Sequence, residues 1–223
     1  MLTPNYNSTP INVVIADDHS IFRKGLVATL RRHAEIIVID QASNGKELLD
    51  KVEKKKTDVV LTDIQMPYMN GIEATAIISK KFPETSTIAL SMYDQDNLIK
   101  EMFKAGAKGY LLKNTDENDI IKAIKTVYQK EFYYSSFTLS KLIRTDYSPF
   151  KVKNDPVFTE KELTVIKLIC QQFSSKEIAA RLNSTVRSIE SAKERIQNKI
   201  EAKNMVGIAL YAIKNNLLSL DEI

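Results

Sequence analysis

The alternation along the first 130 residues constrains the fold more than any other feature. "NVVIAD" (12–17), "IIVIDQA" (36–42), "DVVLTD" (58–63), "STIALS" (86–91) and "KGYLLK" (108–113) are short apolar runs. Between them lie segments with helical apolar spacing: 20–33, 45–55, 71–82, 96–106 and 116–129. A strand covered on one face alternates apolar with polar residues, but these runs are nearly continuous, so both faces need cover. Five strand–helix pairs in succession therefore predict an α/β doubly wound (βα)5 parallel sheet. Such a sheet takes ligands at the carboxyl ends of its strands.

The alternation stops near residue 132. Residues 132–156, "FYYSSFTLSKLIRTDYSPFKVKNDP" up to its prolines, read as a linker with a short helix near 136–143. The aromatics in it exceed what a loose tether needs, so part of it is expected to pack on a domain. Residues 157–223 show helical period alone and form a small all-α domain. "TEKE" (159–162) and "SSKE" (174–177) fit the capping box, in which a Ser or Thr and a Glu three residues on satisfy each other's backbone N–H groups. Each opens a helix. "NST" (183–185) is a tight turn, Thr185 caps 186–200, and a last helix follows Asn204. Helix, tight turn, helix is the spacing of a helix-turn-helix, whose second helix enters a major groove. On pattern alone a plain helical bundle or a protein-docking module fits equally well.

Composition removes other classes. No run approaches the ~18 consecutive apolar residues of a membrane span. "MLTPNYNSTP" lacks the apolar centre of a signal peptide. The one cysteine, Cys170, sits at a helical core position, where it reads as a small apolar side chain. A cytoplasmic protein without membrane partners is expected. The net charge of +4 is too small to prove a nucleic-acid partner, although residues 157–223 hold ten Lys/Arg against eight Asp/Glu.

Strand ends carry the chemistry. The first strand ends in Asp17 and Asp18, the third in Asp63, the fourth in Ser91 and the fifth in Lys113. If strands one and three pair, three carboxylates converge. At about 5 Å and an effective dielectric near 20, each pair repels by roughly 3 kcal/mol. Either one acid is protonated or a cation lies among them, and hard oxygen donors suit Mg2+. A metal, a lysine, a hydroxyl and an attacking carboxylate are together what phosphoryl transfer requires. Taken singly, Asp18 also fits a helix cap. His19 has no partner histidine nearby, and His33, at a helix end, reads as a solvated dipole partner.

"ADDHSIFRKGL", "LTDIQMPYMNG", "ALSMYD" and "KGYLLK" fall in the order and spacing of a response-regulator receiver domain, which residues 11–131 resemble. The resemblance implies that Asp63 accepts a phosphoryl group from a histidine kinase. Asp17, Asp18, Asp63 and the backbone carbonyl of Gln65 would hold Mg2+, Ser91 and Lys113 would contact the phosphoryl group, and Tyr110 would be the aromatic switch coupled to Ser91. Asn114 stands where many receivers have a cis proline.

"FTEKELTVIKLICQQFSSKEIAARL" is similar to the LuxR-type domain of the NarL/FixJ class of regulators. This implies double-stranded DNA as a partner and a homodimer on it. Lys176, Arg187, Lys193 and Arg195 are candidates for phosphate or base contact, with Ser188, Glu190, Ser191 and Glu194 on the same helix tuning sequence choice. Glutamate repels phosphate but accepts from cytosine N4. The chain reads as a phosphorylation-controlled transcription regulator, not an enzyme beyond turnover of its own phosphoryl group. Two rivals remain. One is a helical domain that binds protein. The other is a Mg2+-dependent aspartyl phosphatase, which carries a second acid two residues after its nucleophile, where this chain has Gln65.

Overall fold

A computed structural model describes residues 9–92, 96–145, 147–151 and 156–223. Residues 1–8, the last two of "ALSMYD" with Gln95 after them, and Asp146 and 152–155 of the connecting segment lie outside the described residues. The chain divides into two compact units, Met1–Asp94 with Glu101–Lys130, and Gln95–Lys100 with Glu131–Ile223.

The alternating part of the chain is built from β1 (Ile11–Ala16), α1 (Ser20–Leu30), β2 (Ile36–Ala42), α2 (Gly45–Lys54), β3 (Val59–Asp63), α3 (Gly71–Lys81), β4 (Ser86–Ser91), α4 (Asp96–Ala105), β5 (Gly109–Leu112) and α5 (Glu117–Tyr128). The strands form one parallel sheet in the order β2-β1-β3-β4-β5. Val14, Ala16 and Val60 meet α2 and α3 in one apolar cluster with Leu48, Val52, Ala74 and Ile78. Val13, Ile15 and Leu61 point to the opposite face of the pleat and are equally buried. Both faces are thus covered, as the continuous apolar runs require. Each such Val, Leu or Ile contributes roughly 1.5–3 kcal/mol by leaving water.

Strand order sets the site. β1 is flanked by β2 on one side and β3 on the other, so the chain direction across the sheet reverses there. Ligands bind such sheets at this switch point. Ala16 pairs with Thr62, so the next residues, Asp17 and Asp63, leave adjacent strand ends. Ser91 pairs with Leu112, which puts Lys113 one step beyond. The loop after β3 folds back tightly: Gly71 N–H donates to Ile64 O at 2.9 Å. A Cβ on Gly71 would stand 2.0 Å from the carbonyl oxygen of Asp63, so only glycine fits without moving that backbone. Asn70 and Glu73 then cap α3 reciprocally.

At the sheet edge, Asp40 on β2 takes the ammonium groups of Lys55 at 2.7 Å and Lys51 at 3.1 Å. Burial works to raise its carboxyl, but the lysine and backbone hydrogen bonds outweigh burial and bring it down to about 2. A depressed carboxyl contributes stability that is fully present above the unfolded value and fades as pH falls through the folded one. Asp40 is therefore expected to titrate near pH 2 when its side-chain carbon signal is followed by NMR. A midpoint at or above the ordinary aspartate value would contradict these ion pairs.

The second unit is helical: α6 (Ser136–Ile143), α7 (Glu160–Cys170), α8 (Ser175–Arg181), α9 (Val186–Lys199), α10 (Met205–Lys214) and a 3-10 turn at Leu220–Glu222. Capping boxes at Thr159/Glu162 and Ser174/Glu177 open α7 and α8, and the side chains of Thr185 and Asn204 cap α9 and α10. Such caps contribute about 1 kcal/mol each. Between α8 and α9, Asn183 takes a left-handed φ of 45°, and Ser184 N–H closes onto Ala179 O at 2.8 Å. Asparagine tolerates that conformation better than most residues.

The segment expected to be a linker is more ordered than a tether. Its Tyr133, Tyr134, Leu139, Leu142 and Tyr147 are buried, and Tyr134 O–H donates to Ile169 O at 2.8 Å. Glu131 and the segment that follows it therefore group with the helical unit. Cys170 is fully buried, and burial pushes its thiol up to about 12. It carries no thiolate at neutral pH and is packing, as its helical position implies.

Candidate functional site

A cleft lined by Asp18, His19, Asp63, Gln65, Ser91 and Met92 opens at the carboxyl ends of β1, β3 and β4. Asp17 is fully buried, Asp63 5 % exposed and Ser91 2 % exposed. The Lys113 ammonium lies between two of the acids, 2.7 Å from Asp17 Oδ2 and 2.6 Å from Asp63 Oδ2. The cation demanded by converging carboxylates is therefore supplied in part by the chain itself. Phe22 on α1 lies beside this ammonium, with its ring centroid 4.9 Å away. Arg23, one residue on, donates to the Asp17 carbonyl and ties α1 to the end of β1.

Asp18 turns toward His19, with Oδ1 2.8 Å from Nδ1. The same nitrogen is 3.4 Å from Asp17 Oδ1 and 4.0 Å from Asp63 Oδ2. One donor atom from each of Asp17, Asp18, His19 and Asp63 falls within 4.8 Å of the others. Sequence reasoning set His19 aside for want of a second histidine. Its position directly after two clustered acids was the signal that could have included it. His33 is not a solvated helix end: its Nε2 lies 2.7 Å from Glu117 Oε1 on α5.

Burial pushes the Asp63 carboxyl above its ordinary range. The Lys113 hydrogen bond and charge pull it partly back, and the charge of Asp17 adds to the rise. For Lys113, burial works to lower the ammonium's pKa, but hydrogen bonds and charge from Asp17 and Asp63 prevail and raise it. Three carboxyl groups against one ammonium leave an excess of negative charge at an open cleft. Oxygen donors with that excess fit a hard divalent cation.

Tyr110 is 1 % exposed on β5. Lys113 N–H donates to Ser91 O at 2.8 Å, so the hydroxyl and ammonium positions are joined through backbone. Gln65 N–H donates weakly to Asp63 Oδ1 at 3.4 Å and the side chain is exposed. The peptide bond between Lys113 and Asn114 is trans.

On α9 the exposed residues are Val186, Arg187, Glu190, Ser191, Glu194, Arg195, Asn198 and Lys199, and Ser188 is half-buried. Arg187, Glu190, Ser191, Glu194 and Arg195 recur at three- and four-residue intervals, which places them on one face. Lys176 is exposed on α8. Arg195 Nε lies 3.9 Å from Glu162 Oε1, and Lys199 Nζ is 2.7 Å from Glu162 Oε2. Lys193, expected among the DNA-facing residues, is buried at 6 % exposure. Its position shares the inward stripe of Ile189, Ala192 and Ile196, and its ammonium is held by protein groups.

A carboxylate-and-lysine cleft at the switch point of a (βα)5 sheet thus shares one chain with a helix-turn-helix unit. A response regulator receiver domain matches residues 13–125, and the luxR family of bacterial regulatory proteins matches residues 156–212. Oxygen regulatory protein NreC of Staphylococcus epidermidis is 33 % identical over 216 residues, covering 93 % of this chain and 99 % of that protein. The RcsB response regulator of Salmonella typhimurium has a similar structure, with TM-score 0.56 and 26 % identity over 92 % of this chain and 98 % of that one. RcsB dimers bound to DNA match at TM-score 0.56 and 26 % identity, covering 91 % of this chain and 98 % of that one. The chain belongs to the response regulators of the NarL/FixJ class, which join a receiver to a LuxR-type DNA-binding domain. It is a phosphorylation-controlled regulator of transcription.

Proposed function

We propose that Asp63 is the phosphoacceptor of this regulator and a histidine kinase its donor. A carboxylate oxygen of Asp63 attacks phosphorus, the phosphorus–nitrogen bond of a phosphohistidine breaks, and the histidine nitrogen leaves with the bonding pair. Asp17, Asp18, Asp63 and the Gln65 carbonyl would hold Mg2+, which would supply charge neutralisation for the phosphoryl oxygens. Lys113 leaves its bond to Asp63 Oδ2 for a phosphoryl oxygen, and the Ser91 hydroxyl donates to another. Ser91 and Tyr110 then move together, which controls assembly of a homodimer on DNA. The observation that carries this reading is the Lys113 ammonium, 2.6–2.7 Å from both Asp63 and Asp17 beside an open acidic cleft.

The chain turns over no substrate but its own phosphoryl group. Gln65 stands where an aspartyl phosphatase would carry its second acid. The face of Lys176, Arg187, Ser188, Ser191 and Arg195 meets the duplex, with Glu190 and Glu194 among them. Among the described residues no helix is long and apolar enough to cross a membrane, in keeping with a cytoplasmic place of action. Binding of the phosphorylated chain to a duplex pool, followed against salt, tests the DNA reading. A logarithmic slope of several ions is expected. A flat salt response would favour a protein partner for the helical domain.

A further inference from the structure

Lys193 is a buried charge on α9 that neither faces the duplex nor touches the phosphoacceptor cleft. A lysine ammonium carries three donors and no acceptor. Here it donates to Ser175 Oγ at 2.8 Å and lies 3.6 Å from Glu131 Oε1 and 3.6 Å from Glu190 Oε1. Glu131 Oε1 also accepts from Ser175 N–H at 3.0 Å and Ser175 Oγ–H at 3.2 Å. Two of the three partners, Ser175 and Glu131, are themselves tied together beneath α9. The third, Glu190, has a side chain 55 % exposed on the outer face. The network reaches the surface at two carboxylates, Glu131 with 19 % of its side chain exposed and Glu190, and the ion pair draws Glu190 toward the buried ammonium and offsets part of its charge.

That carboxylate stands on the face offered to DNA, between Arg187 and Ser191. An unpaired glutamate there is repelled by phosphates. One steadied from below by a buried ammonium tolerates them better and keeps its direction. In the major groove a carboxylate can accept only from an exocyclic amine. Adenine N6 stands beside the N7 acceptor, which repels a carboxylate, whereas cytosine N4 is the sole hydrogen-bonding group of its base in that groove.

We propose that Glu190 reads the N4 amine of a cytosine in each half-site, and that Lys193 is the positioning residue that holds it there. The inference rests on the DNA-binding reading of the second unit. It is tested by selecting bound duplexes from a randomised pool with the full-length chain, treated with a small phosphodonor and Mg2+. Wild type is expected to retain a C·G pair at one position per half-site, with other bases there binding tenfold or more weakly. Glu190→Gln is expected to shift that position to A·T, because glutamine pairs with adenine N6 and N7. Lys193→Met is expected to lose most of the discrimination at that position alone, and Lys193→Arg to restore part of it. Circular dichroism melts check that each variant folds, and Glu190→Gln decides the matter if Lys193→Met does not. The same selected base for wild type and Glu190→Gln overturns the inference alone. Equal loss at every position in Lys193→Met assigns the lysine to stability and overturns its positioning role. A wild-type chain that retains no duplex removes the DNA-binding reading and the inference with it.

Discussion

Asp63→Asn is expected to reduce phosphoryl incorporation from a small donor with Mg2+ to background, read by intact mass. The amide is isosteric but lacks the anionic oxygen that attacks phosphorus. Lys113 keeps its bond to Asp17, so the site should not collapse. The stability effect runs the other way. Asp63 sits above the ordinary carboxyl range because it is buried. A group raised in the fold contributes stability that is full below its unfolded value and is lost as pH rises through the folded value. As pH rises through the folded value Asp63 loses that contribution, whereas asparagine has no charge to bury at any pH. A higher melting temperature for Asp63→Asn at pH 7, and little difference below pH 3, is the expected pair of results. A full phosphorylation signal from the variant would remove Asp63 from its assigned role.

Lys113→Met is expected to have the largest combined effect. Its side chain is 3 % exposed and is bonded to two buried acids. Taking one partner from a buried ion pair costs roughly 3–5 kcal/mol, because the charges left behind have neither water nor a counter-ion. Thermal or denaturant melts should show a loss of that size without divalent cation. Removing a positive charge also makes the cleft more negative, so Mg2+ should bind more tightly and recover part of the lost stability. Phosphorylation should nevertheless slow by on the order of 100-fold or more, the usual consequence of losing a group that stabilises charge in the transition state. Tighter Mg2+ with slower transfer separates a functional lysine from a purely structural one. Weaker Mg2+ binding in the variant would contradict the electrostatic account.

The receiver half was legible because its physics is local and repeated. Val59, Val60 and Leu61 are buried on both faces, so the run reads as continuous, and its polar terminus Asp63 has to sit at the carboxyl end of the strand. The same logic located Ser91 and Lys113. What sequence reasoning could not see was the bond network: that Lys113 would bridge Asp17 and Asp63, or that His19 would turn back to Asp18. The Lys113 bridge depends on strand order, which no single strand encodes, whereas the His19 contact is between neighbours and turns on side-chain direction.

The second unit shows the opposite case. Capping residues marked the helix starts, because a Ser or Thr followed three residues later by Glu has a local reason to be there. Lys193 was placed by its charge, although its spacing from Ile189 and Ile196 already pointed inward. Burial succeeded because Glu131 and Ser175, distant in sequence, provide its partners. The connecting segment was judged by composition, yet Tyr133, Tyr134 and Tyr147 are buried. Their number was the available signal, and what they would pack on was not.

The central claim is that a phosphoryl group on Asp63 controls DNA binding. Its most direct test is fluorescence anisotropy with a duplex retained by the phosphorylated chain, comparing wild type and Asp63→Asn, each with and without a small phosphodonor and Mg2+. Phosphodonor should change wild-type affinity by tenfold or more and leave Asp63→Asn unmoved. Equal responses from the two proteins, or none from wild type despite one phosphoryl group by mass, would contradict the account.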